Sequence, residues 1–306
     1  MKILHILNGD STREIFEKTD IHGNILVWRD ILCEGPCHEE FASTSFWDTR
    51  TRFMSALFEL DESVFYQKSI MEWENINSKE WDEIVLWFEY DLFCQINMMG
   101  ILSYLFHHFK QRVSLICMGN EKGYTRLVGL GEIPSERYLS LFESRKILKK
   151  ADLEYADKFW ACYCKEDPSG LQKYIKPKSS TFPYLREAVK MHFQRFGDCI
   201  TGVGIIEMAI IKYIKGGINS NHSIVSNLIN EDWEFGFGDL QYFIIMERMR
   251  EFYHFENGLL EISDLGLEVC MGRIKYDGSY FENEILGGLE MSKFEYDSEN
   301  QMLVSK

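Results

Sequence analysis

Four short apolar segments alternate with helix-compatible stretches at the start of the chain, and this order restricts the fold more than any other feature. The apolar segments are residues 2–7, 24–32, 84–88 and 112–119. They are mostly apolar throughout instead of alternating with polar residues, which is typical of strands covered by helices on both faces. The order β-α-β-α-β-α-β therefore predicts an α/β fold with a Rossmann-like, mostly parallel sheet.

After Gly119 the pattern becomes mainly helical, and the stretch "PSGLQKYIKPKSSTFP" contains three of the five prolines. We predict an α/β domain at 1–168 with a helical extension from about residue 132, a linker at 169–182 and a second domain at 183–306. In the second domain, two short β runs flank Asn257-Gly258, the strongest short-range signal for a hairpin. Helices followed by a hairpin predict a winged-helix-like unit.

Charge argues against nucleic acid as a partner. The formal net charge is -15, and this sign repels phosphate backbones. In the C-terminal helix "GDLQYFIIMERMREF", Arg248 and Arg250 are countered by Glu247 and Glu251. A DNA-reading helix normally presents several uncompensated basic residues to the groove, so DNA binding by this unit is not expected.

The eight cysteines are scattered and form no C-x-x-C pair, so neither a disulfide framework nor a structural zinc site is predicted. The N-terminal residues do not have the pattern of a signal peptide, and no apolar stretch is long enough to cross a bilayer. These features predict a cytoplasmic protein without a membrane partner.

Polar residues follow three of the predicted strands, where the carboxyl ends of a parallel sheet form one edge. Ligands of such sheets gather at this edge. The candidate site residues fall here or, for His5, inside the first strand; they are His5, Gly9, Asp10, Ser11, Arg29, Asp30, Glu34, Glu89, Asp91 and Gln95.

These residue types suit an anionic ligand bound through a cation. Gly9, Ser11 and the following helix N-terminus offer donors to a phosphate or carboxylate, whereas Asp10 repels an anion unless a divalent ion such as Mg²⁺ intervenes. Asp10 and Asp91 are the candidate metal ligands, and together with Asp30 they are the candidate catalytic residues. Arg29 would clamp the substrate and Gln95 would orient it, while His5, Glu34 and Glu89 complete the ligand site.

The resulting hypothesis is a protein that binds a nucleotide or another small phosphate ligand, with metal-dependent phosphoryl transfer or hydrolysis as the chemistry. Simpler interpretations remain open for each residue. Asp10 and Ser11 could cap a helix, Asp91 could cap the next one, and His5 could be a hydrogen-bonded core residue. The alternative function is a non-catalytic regulator or adaptor that binds a protein through the C-terminal domain, and the sequence does not decide whether the chain is an enzyme.

Several ordered segments resemble a known family. "HILNGDS", "RDILCEGP" and "WFEYDLFCQ" resemble the signature blocks of an uncharacterised bacterial family, domain of unknown function 1835, and "GDLQYFIIMERM", "LEISDLGLEVCMGR" and "ILGG" are similar to its C-terminal tail. The resemblance implies no activity. It marks the following positions: His5, Gly9, Asp10, Ser11, Arg29, Asp30, Gly35, Pro36, Asp91 and Gln95. The family's tail often carries basic residues where this chain is acidic, a second reason not to expect DNA binding.

Overall fold

The computed structural model describes residues 1–78, 80–176, 179–231 and 234–306. Its strands are β1 (Ile3–Asn8), β2 (Asn24–Trp28), β3 (Gly35–Pro36), β4 (Glu83–Phe88), β5 (Arg112–Cys117), β6 (Lys146–Ile147), β7 (Tyr253–Glu256), β8 (Leu259–Ile262), β9 (Ile285–Gly287), β10 (Leu289–Glu290), β11 (Phe294–Asp297) and β12 (Met302–Ser305). Its helices are α1 (Asp10–Phe16), α2 (Thr44–Phe58), α3 (Glu62–Phe65), α4 (Met71–Glu74), α5 (Leu92–His108), α6 (Glu136–Glu143), α7 (Lys150–Tyr163), α8 (Pro168–Gln172), α9 (Leu185–Gln194), α10 (Ile205–Lys215), α11 (Asn221–Asn230), α12 (Asp239–Arg248) and α13 (Asp264–Cys270).

The central sheet has five strands in the order β2-β1-β4-β5-β6, and its first four strands are parallel. The predicted α/β class with a mostly parallel sheet is confirmed. The short strand β6, which pairs antiparallel with β5, was not predicted. After β1 the chain forms β2 on one side of β1, and it later forms β4 on the opposite side of β1. The switch point of this order lies between the carboxyl ends of β1 and β4, where α/β sheets usually bind their ligands.

Successive side chains of the central strands point into two different cores. Leu86 belongs to a large core that includes α5, whereas Val85 and Trp87 belong to a smaller core with Phe16 and Tyr138. Helix α5 packs against α7 and α9 and is buried along most of its length, which explains its almost continuous apolar sequence. The large core continues from the sheet into the C-terminal helices.

The C-terminal part contains the predicted hairpin, formed by β7 and β8. Asn257 and Gly258 both have positive φ angles, 52° and 80°, as the tight turn between the strands requires. The winged-helix-like assignment and the division into two domains stay predictions. The proposed linker at 169–182 includes all of α8 except its first residue, and its positions 177 and 178 lie outside the described residues. None of the helices in the described part of the chain combines the length and the apolar character needed to cross a bilayer.

A buried loop at residues 29–37 connects the sheet to the rest of the molecule. Its Asp30 forms a two-point ion pair with Arg50 of α2, with Nε–Oδ2 and Nη2–Oδ1 distances of 2.9 and 2.7 Å. Both side chains are 0% exposed. Arg50 also donates to the carbonyl oxygens of Ile31, Glu34 and Pro36. One guanidinium therefore satisfies a buried carboxylate and three backbone carbonyls of the loop.

Groups from more distant elements hold the same loop. Arg195 donates to the carbonyl oxygen of Cys33, and Tyr163 donates to that of Leu32. The segment Gly35–Pro36 pairs in parallel with β9 near the end of the chain. Gly35 has φ +69°, and an added Cβ would lie 2.4 Å from the ring of Phe53, so this position needs glycine.

We expect Arg50→Met to lower the free energy of unfolding by about 3–5 kcal/mol, because the substitution leaves the Asp30 carboxylate buried without its partner. Urea unfolding followed by circular dichroism measures this change. The matched control is Arg52→Met on the same helix, at an exposed position, which should change stability by less than about 0.5 kcal/mol. A similar small effect for both variants would contradict the role assigned to the Asp30–Arg50 pair.

Candidate functional site

Asp10 and Arg29, predicted to bind metal and substrate, bind each other. The Arg29 Nε and Nη2 atoms each donate to the Asp10 carboxylate at 2.8 Å, and Nη1 donates to the carbonyl oxygen of Lys68. The hydrogen bonds from Arg29 lower the pKa of Asp10. Asp10 therefore already has a cationic partner, and the planar fork of Arg29 is already occupied.

Asp30 and Glu34 are also paired with arginines. Asp30 is bound by Arg50, and Glu34 accepts a hydrogen bond of 2.6 Å from Arg195 Nη2. Both carboxylates are buried and hold the loop at residues 29–37 in place. Their ion pairs thus give both carboxylates a structural role. The catalytic role of Asp30 and the ligand-binding role of Glu34 stay predictions.

His5 is a hydrogen-bonded core residue, as the simpler interpretation has it. Its Nδ1 accepts a hydrogen bond of 3.1 Å from Trp87 Nε1. Burial lowers the pKa of His5 to about 4, so the ring is neutral at pH 7. At the end of β1, Gly9 has φ +94° and donates its N–H to the carbonyl oxygen of Trp28, while Ser11 is exposed.

A segment of the chain itself covers the switch point between β1 and β4. The N–H of Leu130 donates to the Glu89 carboxylate at 2.7 Å, and the neighbouring Gly131 lies against Ser11. The Leu130 side chain is buried, and its carbonyl oxygen accepts a hydrogen bond from Tyr138. Because this contact fills the usual ligand crevice, a ligand at this edge would have to bind beside it.

Such a site exists next to the end of β4 as a cavity of about 810 Å³, which we call the sheet-edge cleft. Glu89, Tyr90 and Asp91 line its floor. Residues from 120–132 form one wall, and residues from 228–231 and 234–242 form the other. The cleft therefore lies between the sheet and the C-terminal helices, and its volume suits a small ligand.

Asp91 sits at the base of the cleft and caps α5. Its carboxylate accepts the N–H of Cys94 at 2.8 Å, so the interpretation as a helix cap is confirmed. The first two N–H groups of α5, which precede that of Cys94, donate to the carbonyl oxygens of Glu234 and Phe235. An added Cβ on Gly236 would lie 2.2 Å from the Asp91 carboxylate. The 234–236 segment is thus packed directly onto the start of α5, and this helix N-terminus is already occupied.

Glu89 and Asp91 form the one carboxylate pair at this edge that lacks an arginine or lysine partner among the described residues. Burial first, and the nearby Asp91 carboxylate second, raise the pKa of Glu89 to about 8. Burial also raises the pKa of Asp91. With a pKa of about 8, Glu89 is mostly protonated at pH 7, and a cation bound by the two carboxylates would take the place of this proton.

A thiol completes this group. Glu89, Asp91 and Cys94 each offer one ligand atom. These three atoms lie within 4.8 Å of one another, which is close enough for all of them to bind one ion. Gln95 lies beside the group and is buried, and its Nε2 donates to the carbonyl oxygen of Glu89 at 2.6 Å. Gln95 therefore fixes the backbone that carries Glu89.

Sequence reasoning included Glu89 and Asp91 but missed Cys94, Arg50 and Arg195. Cys94 was interpreted as a scattered buried thiol, although its position three residues after Asp91 places both side chains at the first turn of one helix. Neither arginine belongs to a motif that indicates its partner: Arg50 reaches the loop at residues 29–37 from the helix that follows it, and Arg195 from the end of α9, more than 150 residues further along the chain.

No protein-family model matches this chain, and a search of curated proteins finds no match either. The resemblance described from the sequence stays a prediction.

The raised pKa of Glu89 predicts a pH-dependent effect of Glu89→Gln in metal-free protein. The folded-state value of about 8 lies above the ordinary 4.5, so the folded state loses stability as the pH rises between these values and Glu89 must ionise. Glu89→Gln should therefore be more stable than the parent by about 2 kcal/mol at about pH 9, with little difference at about pH 5. Urea unfolding with a chelator present measures the free energy of unfolding of the parent and the variant at both pH values.

Glu132→Gln is the matched control in the same cleft. Hydrogen bonds from Arg126 lower the pKa of Glu132, so this variant should be less stable than the parent at about pH 9. A stabilisation of equal size in both variants would mean that the effect comes from the total charge of the cleft and not from Glu89.

Proposed function

We propose that the chain binds a divalent cation in the sheet-edge cleft through Glu89 and Asp91, and that this cation holds a small phosphate-bearing ligand such as a nucleotide. The observation that carries the proposal is the carboxylate pair without a cationic partner. Every other predicted site carboxylate has an arginine partner: Asp10 has Arg29, Asp30 has Arg50 and Glu34 has Arg195.

The charge of the cleft supports a cation as the bridge to the ligand. Five carboxylates line it, those of Glu89, Asp91, Glu132, Glu231 and Glu234. Among the described lining residues, Arg126 is the one cation, and it is ion-paired with Glu132. A free phosphate would be repelled from these walls, whereas a divalent ion would reverse the local charge. Asn120, Tyr124 and Asn230 add neutral hydrogen-bonding groups for the remainder of the ligand.

The chemistry that we propose is metal-dependent phosphoryl transfer or phosphoester hydrolysis. A cation at Glu89 and Asp91 would polarise a phosphoryl oxygen and lower the pKa of a bound water. The sequence predicts Asp10 and Asp91 as the metal ligands. The proposed site retains Asp91 but has Glu89 in place of Asp10, because Arg29 already neutralises Asp10. All eight cysteines are unpaired, which supports the reducing cytoplasm as the location.

A second function is favoured by a separate observation. Phe255 and Leu259, next to the hairpin turn, are 51% and 46% exposed. Exposed apolar side chains of this size often mark protein contacts. If the C-terminal part is a winged-helix-like unit, this hairpin is its wing, and the acidic character of the chain favours a protein partner over DNA.

Isothermal titration calorimetry tests the first function. We expect the parent protein to bind Mn²⁺, and we expect Glu89→Gln and Asp91→Asn each to weaken binding at least about 10-fold, because each removes a charged ligand. Asparagine at position 91 is still a good helix cap, so α5 should remain folded. ADP should bind the parent more tightly with Mn²⁺ present than with chelator.

Asp10→Asn is the matched control and should leave Mn²⁺ affinity unchanged. Absence of Mn²⁺ binding by the parent, or equal weakening by Asp10→Asn, would contradict the proposed site. Loss of a protein contact in Phe255→Ser, with no response to cations or nucleotides in the parent, would favour the second function instead.

A further inference from the structure

The thiol of Cys94 lies against the two carboxylates for a structural reason. Asp91 is the N-cap of α5 and Cys94 is three residues further on, so both side chains lie at the first turn. Glu89 reaches the same point from the end of β4. The Cys94 side chain is buried, and its sulfur and one oxygen from each carboxylate lie within 4.8 Å of one another.

A chain of hydrogen bonds fixes which group faces the sulfur. The backbone N–H of Leu32 can only donate, and it donates to Asn97 Oδ1 at 3.0 Å. Asn97 Nδ2 therefore points the other way and donates to Asn8 Oδ1 at 2.9 Å. Asn8 Nδ2 in turn points at Cys94 Sγ, 2.9 Å away. The orientation of both amides follows from one backbone donor, so the sulfur is a hydrogen-bond acceptor at this contact.

The remaining side of the sulfur faces a carboxylate. Asn8 Nδ2 approaches the sulfur from one side, and one oxygen each of Glu89 and Asp91 lies within 4.8 Å of it. An ion shared by the sulfur and these carboxylates would take the place of the thiol proton. Replacing it is a balanced exchange: a divalent ion forms a bond to sulfur, the S–H bond breaks, and the proton goes to the buffer.

We propose that the cation is a thiophilic transition-metal ion of the zinc type and that Cys94 is its third protein ligand. Asn8 positions the sulfur. This inference rests on the proposed function, since it concerns the same metal site. Magnesium prefers a shell of oxygen atoms only, whereas zinc and cobalt readily accept sulfur together with carboxylate oxygen. Three protein ligands leave a coordination position open, the arrangement of catalytic zinc sites, and a water or phosphate oxygen from the cleft would fill it.

Asn8 acts in this site through Cys94, without touching the metal. Partners that orient a ligand in this way typically contribute 10- to 100-fold to metal affinity, so Asn8→Ala should weaken binding by about this factor. A purely structural role would change stability without altering the spectrum of the bound metal. A changed sulfur-to-metal absorption band in Asn8→Ala is therefore the readout that separates the two roles.

The test is titration of the full-length, chelator-treated protein with Co²⁺, followed by absorption spectroscopy. We expect a sulfur-to-cobalt charge-transfer band in the near ultraviolet, with one ion bound per chain. Cys94→Ser should abolish this band and retain weaker Mn²⁺ binding through the carboxylates. Cys117→Ser is the matched control, because Cys117 lies near Gln95 but outside the metal-binding group, and it should keep the band.

The outcomes separate this inference from the proposed function. If Mn²⁺ binds and depends on Glu89 but Co²⁺ gives no sulfur band, the proposed function stands and the role of Cys94 is overturned. A band that persists in Cys94→Ser overturns that role as well. If neither Mn²⁺ nor Co²⁺ binds the parent protein, both proposals fail.

Discussion

The buried ion pair between Asp30 and Arg50 is the interaction on which the rest of this structure depends. It removes two full charges from water, an arrangement that is tolerated only when every hydrogen-bonding group is satisfied. Arg50 meets this condition by also binding three carbonyl oxygens of the loop at residues 29–37. The same loop is bound by Arg195 from beyond α9 and pairs through β3 with β9. Parts of the chain that are distant in sequence therefore meet at one buried segment.

This loop also reaches the candidate site. The carbonyl oxygen of Asp30 and the N–H of Leu32 both bind the Asn97 side chain, which orients Asn8 towards Cys94. The geometry around the thiol is thus set by the buried loop and not only by the first turn of α5. A change that loosens the loop should disturb the candidate site even though the two share no residue.

Charge pairing distinguishes the candidate site from the other acidic positions. At the opposite end of β4, Glu83 is buried but bound by Arg145. At the carboxyl edge, an arginine accounts for each of the other predicted carboxylates. Among the described residues, the hydrogen-bond donors to the Glu89 and Asp91 carboxylates are backbone N–H groups. This contrast is the ground for the proposed metal site, because a bound cation would give both carboxylates a positively charged partner.

The fold class and the edge of the sheet could be predicted from the sequence, because apolar periodicity reports strands and the carboxyl ends of parallel strands must share an edge. The grouping of Asp10, Asp30 and Asp91 was proposed on proximity along that edge alone. Proximity does not reveal which carboxylate an arginine from elsewhere will bind, and nothing in the local sequence around Arg50 or Arg195 indicates that their side chains reach this loop. Glu89 and Asp91 remain as candidate metal ligands because no arginine within the described parts of the chain pairs with them. Anomalous diffraction from crystals grown with Mn²⁺ or Co²⁺ tests this account most directly. It predicts one strong peak in contact with the Glu89 and Asp91 carboxylates, and a peak only at Asp10 and Arg29, or none in the sheet-edge cleft, would contradict it.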